Sequence, residues 1–274
     1  MKKFLLTLVF LPTIFSCEAI WNNGPTQLLK DIFSITEVAN VDDLKFATQQ
    51  ANFRWIRPKG LERWHIYSLL DDPQRIKLTK IIKNSALAKV KMPIKKHYDA
   101  VVVYGATTSR VKTRIEFLLK LAKQGVTWDK IFLLGSTRDL NTGPDADQQM
   151  AKLLKTKGVA ETEMAMMQYL WNQAIKQKLC ATVPVVSIQS GERPDGTRAN
   201  TDDTLVDMAK NIDHVKGKNI LFISNNPYIC YQDAVAKSVL KSHYVAVETV
   251  GDAMDKESME SVLDTIARCL TNIS

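Results

Sequence analysis

The chain has 274 residues, 45% of them hydrophobic and 24% charged, with a formal net charge of +8. This make-up excludes a disordered chain, a collagen and a disulfide-dense miniprotein. The length suits one large domain, or a domain plus an appendage, with a substantial core. No apolar run reaches the roughly 20 residues of a membrane span, so a multispanning membrane protein is excluded.

Residues 1–19 read as an export signal. Lys2 and Lys3 precede an apolar run, Phe4 to Phe15, broken by Thr7, Pro12 and Thr13. Two processing routes fit. Cleavage after Ala19 places Cys17 at the minus-three position. Alternatively, Ile14-Phe15-Ser16-Cys17 is a degraded lipobox, and Cys17 carries lipid. Either route predicts an exported protein, periplasmic or envelope-associated. Cys180, Cys230 and Cys269 remain, which permits at most one intramolecular disulfide. Their spacing matches no zinc site.

The charge is unevenly distributed. Residues 20–98 hold 14 Lys/Arg against 7 Asp/Glu, whereas residues 99–274 hold 21 of each. From Pro73 to Tyr98 there are eight basic residues and no acid: Arg75, Lys77, Lys80, Lys83, Lys89, Lys91, Lys95 and Lys96. One reading is contact with a membrane surface or another polyanion. The other is the solvated face of an amphipathic helix that buries Ile76, Ile81, Ile82 and Leu87. Export and the lack of interleaved aromatic and basic residues exclude nucleic acid.

Residues 20–95 are expected to be mainly helical. Asn40-Val-Asp-Asp43 is placed to cap a helix through Gln50. Arg57-Pro58-Lys59-Gly60 reads as a turn. Trp55, Leu61, Trp64 and Tyr67 read as an aromatic cluster that docks this segment. Over residues 96–274 strand and helix alternate. Strands are predicted at Ala100–Tyr104, Lys130–Leu134, Val183–Ile188, Asn219–Ile223 and His243–Val247. Helices are predicted at Arg110–Lys123, Glu161–Lys178, Asp202–Asp213, Ile229–Leu240 and Lys256–Leu270. Continuous apolar strands between helices imply a doubly wound, Rossmann-like α/β domain with a parallel sheet of about five strands.

Ligands in such sheets bind at the carboxyl ends of the strands, near the point where strand order reverses. Five loops qualify: Gly105 to Arg110, Gly135 to Asp147, Gln189 to Asp203, Ser224 to Gln232, and Glu248 to Asp252. The first four hold Arg110, Arg138, Arg193 and Arg198 but no lysine, in a chain with 27 Lys and 10 Arg. Arginine suits bidentate pairing with phosphate or carboxylate. Hydroxyls are dense as well, at Thr107, Thr108, Ser109, Ser136, Thr137 and Thr201, and several stand where helices begin. A small anionic ligand is therefore expected; the competing reading is helix capping and local pairing with Asp139, Asp202 and Asp203. Gly105-Ala-Thr-Thr-Ser-Arg110 lacks the G-x-G-x-x-G pattern, which disfavours NAD. His97, His214 and His243 fall at the amino ends of strands, which argues against a histidine relay or a His/Cys metal site. Asp139, Glu163, Asp202, Asp203 and Glu248 are the carboxylates on the expected side, for acid/base work or Mg²⁺.

Five motifs in order resemble one known family. They are Asp99-Ala-Val-Val-Val-Tyr-Gly105, Phe132-Leu-Leu-Gly-Ser136, Glu163 with Met166-Met167, Ala199-Asn-Thr-Asp-Asp-Thr204, and Phe222-Ile-Ser-Asn-Asn-Pro-Tyr228. Between Tyr98 and Gly251 the chain is similar to the SanA/ElyC/YdcF-like proteins of bacterial envelopes. It departs from them in two places. Pro227-Tyr228 and Tyr231-Gln232 stand where the family has a His and an Arg, and Gly135-Ser136 lacks a second glycine. The resemblance implies a Rossmann-like fold, an envelope role and a nucleotide-like ligand, S-adenosylmethionine among those suggested.

These readings give an exported protein that binds a small anionic or nucleotide-like ligand, with scope for an enzyme acting on a phosphorylated or glycosylated envelope precursor. Arg110, Arg138 and Arg198 are expected to neutralise the ligand. Gly105, Thr107, Thr108, Gly135, Ser136, Asn200, Thr201, Ser224 and Asn225 are expected to approach or hydrogen-bond it. Tyr228 is expected to stack on it, and Glu163 to orient these groups or act as acid/base. The alternative is a non-catalytic scaffold that docks on a membrane or partner through its basic segment.

Overall fold

The computed structural model describes residues 19–38, 41–57, 70–142, 145–175, 182–210, 218–243 and 245–274. The export signal, Cys17, Asn40, Pro58 to Gly60, Leu61, Trp64, His65, Tyr67, Cys180 and His214 lie outside these residues.

Three helices come first, each started by a side chain that meets an otherwise unpaired first-turn amide. In α1 (Gln27–Ile35) the Thr26 hydroxyl accepts from Leu29 N, and in α2 (Leu44–Trp55) the Asp43 carboxylate accepts from Lys45 N. In α3 (Asp72–Asn84), Asp71 and Gln74 form a reciprocal capping box, with Pro73 in the first turn. α2 runs five residues beyond the predicted Gln50. In α3 the buried positions are Leu78 and Ile82. Ile76, expected in the core, is instead 70% exposed. Its position places it on the helix face away from Leu78 and Ile82. Trp55 stacks on Phe33 with ring centroids 4.7 Å apart.

The α/β region follows. Its sheet contains β2 (Ala100–Tyr104), β4 (Ile131–Ser136), β5 (Val185–Ser190), β6 (Asn219–Asn225) and β7 (Ala246–Asp252), all parallel. Two short strands, β1 (His97–Tyr98) and β3 (Thr127–Trp128), pair separately. The helices are α4 (Thr108–Lys123), α5 (Asp145–Thr156), α6 (Glu163–Ile175), α7 (Thr201–Lys210), α8 (Ile229–Leu240) and α9 (Met259–Ile273). Strand order is β5-β4-β2-β6-β7. The chain moves outward from β2 in one direction, then returns to β6 and moves outward in the other, so the order reverses between β2 and β6.

The period of two along β2 divides the core. Val101 and Val103 pack with α4 and α6, while Ala100, Val102 and Tyr104 pack with α7 and α8. A third cluster joins α1, α2 and α3 to α9. A disulfide, Cys230–Cys269, links α8 to α9. No helix among the described residues is long and apolar enough to cross a membrane.

Three expectations are corrected. The segment after Asp139 was expected to be a loop through Asp147, but it forms α5 from Asp145. The last strand runs Ala246–Asp252, so Glu248 to Asp252 is strand and not a ligand loop. The Glu248 carboxylate accepts from Ile94 N at 2.9 Å and from the Tyr98 hydroxyl, and so anchors the connector before β2. Gly251 permits this strand to approach β6, since a Cβ there would meet Ser224 O at 2.2 Å. Finally, β5 is an edge strand with Val185 and Val186 exposed.

Candidate functional site

The loops after β2, β4 and β6 converge at the reversal of strand order, and three arginines dominate them. Glu163 opens α6, and both of its carboxylate oxygens are occupied. Oε2 accepts from Ser136 N at 3.1 Å and Ser136 Oγ at 2.5 Å. Oε1 lies 3.7 Å from Arg138 Nη2. A Cβ on Gly105 would come within 2.9 Å of Oε1 and 3.0 Å of Leu134 O. Gly105 therefore lets the β2 loop rest directly on Glu163, and Gly135 does the same for Met167, whose sulfur would lie 2.8 Å from an added Cβ.

Arg138 is buried and has three partners. It lies 3.3 Å from the fully buried Asp147 of α5, donates to Ala106 O at 3.1 Å, and faces Glu163. Asp147 also accepts from Thr108 N at 2.8 Å. One guanidinium thus fixes the loops after β2 and β4 and the starts of α5 and α6.

Arg110 donates to Glu257 Oε1 at 2.6 Å and lies over the Tyr228 ring, 4.9 Å from its centroid. Tyr228 donates to Glu257 Oε2 at 2.8 Å. Burial lowers the pKa of Arg110, but Tyr228 and Glu257 outweigh it and leave the value raised.

Arg114, one helical turn further along α4, is 2% exposed. It donates to Asn225 Oδ1 at 3.0 Å, Tyr104 O at 2.9 Å and Gly105 O at 2.7 Å. All three are neutral acceptors, and Arg114 makes no ion pair among the described residues. Burial first, and then the neighbouring Arg110 charge, lower its pKa to about 9. The start of α4 lies above it. The Thr107 hydroxyl pairs with Ser109 Oγ at 3.4 Å and takes no amide of that helix, and the Thr108 hydroxyl is buried with no partner.

The structure brings together Gly105, Thr107, Thr108, Arg110, Gly135, Ser136, Arg138, Glu163, Asn225 and Tyr228. It does not bring the rest. Arg198, Asn200 and Thr201 follow β5, two strands from β2. Asn200 Oδ1 caps α7 by accepting from Asp202 N and Asp203 N at 2.8 and 3.1 Å. Arg193 pairs with Asp203 at 2.7 Å. Ser224 is fully buried and donates to Gln232. Arg110 lies over one face of the Tyr228 ring.

Sequence reasoning missed Arg114, Asp147 and Glu257. Arg114 had a signal: it lies four residues after Arg110, hence on the same helix face. Among the described residues no group of His, Cys, Asp and Glu is arranged to hold a metal ion. Asp147 and Glu163, the carboxylates closest to Mg²⁺ chemistry, both face Arg138. No protein-family model matches the chain, and no curated protein matches it.

Proposed function

We propose that this protein is a divergent SanA/ElyC/YdcF-like envelope protein that binds a small anionic or nucleotide-like ligand between the ends of β2 and β6. Arg114 carries this reading. Buried charges are ordinarily paired, because desolvation costs several kcal/mol. Arg114 is held at the order reversal by neutral oxygens alone, on the helix whose first residue carries a buried, unpartnered hydroxyl. An anion at the start of α4 would compensate the guanidinium, receive the Thr108 hydroxyl, and meet the first-turn amides that follow Thr108 N, which Asp147 already holds. Arg110 would close over it from the Glu257 side. Glu163 acts as a positioning residue in this account, because Ser136 and Arg138 occupy both its oxygens. The Cys230–Cys269 disulfide supports an oxidising, exported setting.

The test is a thermal-shift panel of nucleotides, nucleotide sugars, S-adenosylmethionine, polyprenyl phosphates and inorganic phosphate. A ligand at 100 times its Kd adds about 2.7 kcal/mol of stability. Thr108→Val separates a binding role from a structural one. It removes an unsatisfied buried hydroxyl, so the unliganded variant should be as stable as wild type or more so. Its ligand-induced shift should fall sharply. A panel without a hit, or a hit fully retained by Thr108→Val, contradicts the reading.

A further inference from the structure

The second concentration of charge, on α3 and the run that follows it, differs in kind. On α3, Ile76, Lys80 and Lys83 form one outward stripe with Lys77 beside it. Their spacing of three and four residues puts them on one helix face, opposite the buried Leu78 and Ile82. Lys77 and Lys80 also line an open depression between α1 and α3 of about 640 Å³, whose apolar lining is Leu28, Ile35 and Ile81.

From α3 the chain runs along the outer edge of β7. Lys91 N donates to Gly251 O at 3.0 Å, and Gly251 N returns the bond to Lys91 O at 3.2 Å. This extended run leaves Val90, Met92 and Ile94 more than 40% exposed, between Lys89, Lys91, Lys95 and Lys96. The side chains of Lys77, Lys80, Lys83, Lys89 and Lys96 make no ion pair or hydrogen bond among the described residues. Elsewhere exposed lysines do pair, as Lys155 with Glu161 and Lys218 with Asp99.

We propose that α3 and residues 89–96 form a docking surface for an anionic lipid bilayer. Lys77, Lys80, Lys83, Lys89 and Lys96 supply the attraction to acidic headgroups, and no acidic residue stands from Pro73 to Tyr98 to offset them. Exposed Ile76, Val90, Met92 and Ile94 decide between a bilayer and a soluble polyanion. Apolar side chains gain by entering the headgroup boundary and gain nothing against a hydrated polyanion. The surface belongs to the layer that begins at Ile20, directly after the apolar run at the chain's start, so a membrane-held N-terminus would bring this layer to the lipid. The inference does not depend on what the crevice binds.

The test is flotation of the full chain with vesicles of pure phosphatidylcholine and of phosphatidylcholine containing phosphatidylglycerol. Neutral vesicles read what the N-terminus contributes, and the increment on acidic vesicles reads the lysines. Each lysine at such a surface is worth about fivefold. Lys77→Gln/Lys80→Gln/Lys83→Gln should therefore lower the acidic increment about a hundredfold. High salt should abolish the increment. Ile76→Ser/Ile94→Ser should weaken vesicle binding yet leave retention on dextran sulfate unchanged. All these side chains are exposed, so unchanged thermal unfolding verifies the fold. No acidic increment, or an increment indifferent to the lysine substitutions, overturns the proposal. Vesicle binding indifferent to Ile76→Ser/Ile94→Ser, with strong dextran sulfate retention, overturns it in favour of a polyanion.

Discussion

The crevice and the front segment each gather basic residues of one kind, but they use their cations in opposite ways. In the crevice the cations are arginines, buried or partly buried, and bonded to several partners each. Arg138 alone joins Asp147, Ala106 and Glu163. On the outer face of the front segment they are mostly lysines, and the side chains of Lys77, Lys80, Lys83, Lys89 and Lys96 have no partner among the described residues. The difference follows from the side chains. A planar guanidinium offers five donors in a fixed fork and is weakly hydrated, so it can leave water if its donors are met. An ammonium on a flexible stem stays in water and acts at range. Charge at the crevice is therefore built into the structure, whereas charge at the front is available for association. Arg114 is the exception on which the proposed site rests, being buried like a structural arginine but lacking a counter-charge.

The largest effect that would break this comparison is Asp147→Ala. It leaves Arg138 buried with only Glu163 opposite, and Thr108 N unmet, at a cost of about 3–5 kcal/mol. Calorimetry should show a fall in Tm on the order of 10 °C; no change would mean that the crevice charges are as dispensable as those of the front. Next is the disulfide, which closes a loop between residues 39 apart in sequence. Cys230→Ala/Cys269→Ala should lose about 2–4 kcal/mol in urea unfolding, and a reducing agent should affect only the wild type. α9 carries the front helices, so their unfolding should soften with it. The smallest effect is Lys77→Gln/Lys80→Gln/Lys83→Gln. Stability should move by no more than about 0.5 kcal/mol. A larger loss would mean that these lysines are structural.

Much of the fold was legible. The apolar runs at Ala100 to Tyr104 and Asn219 to Ile223 could only be buried parallel strands, and both are in place. What the periodicity did not reveal depended on tertiary partners. Glu248 interrupts the apolar pattern of β7, yet Tyr98 and Ile94 meet its carboxylate within the fold. α5 follows Gly143-Pro144 and opens on carboxylates, so it resembles a loop until Asp147 finds Arg138. Ile76 was assigned to the core by residue type, although its helix phase points outward.

The site divides on the same line. Arg110, Thr108, Arg138 and Glu163 were legible because loop position and residue type sufficed. Arg198 and Asn200 were placed with them because strand order was unread; β5 is two strands from β2, and Asn200 is an ordinary helix cap. Arg114 and Glu257 were invisible to a search confined to loops, since one lies inside a helix and the other beside the start of α9.

The measurement that tests the central claim most directly is the pH dependence of anion binding. The probe is a nucleoside diphosphate, whose phosphates are fully ionised above pH 8, titrated calorimetrically from pH 8 to 10.5. Arg114 has a folded pKa lowered to about 9, whereas Arg110 is raised. Well below pH 9 the site holds its full charge. As the pH rises through 9 Arg114 gives up its proton, and affinity should fall by up to about tenfold per pH unit. No binding at any pH would contradict the assignment of Arg114 as the charge that receives the ligand, whereas binding constant to pH 10.5 would contradict its lowered pKa.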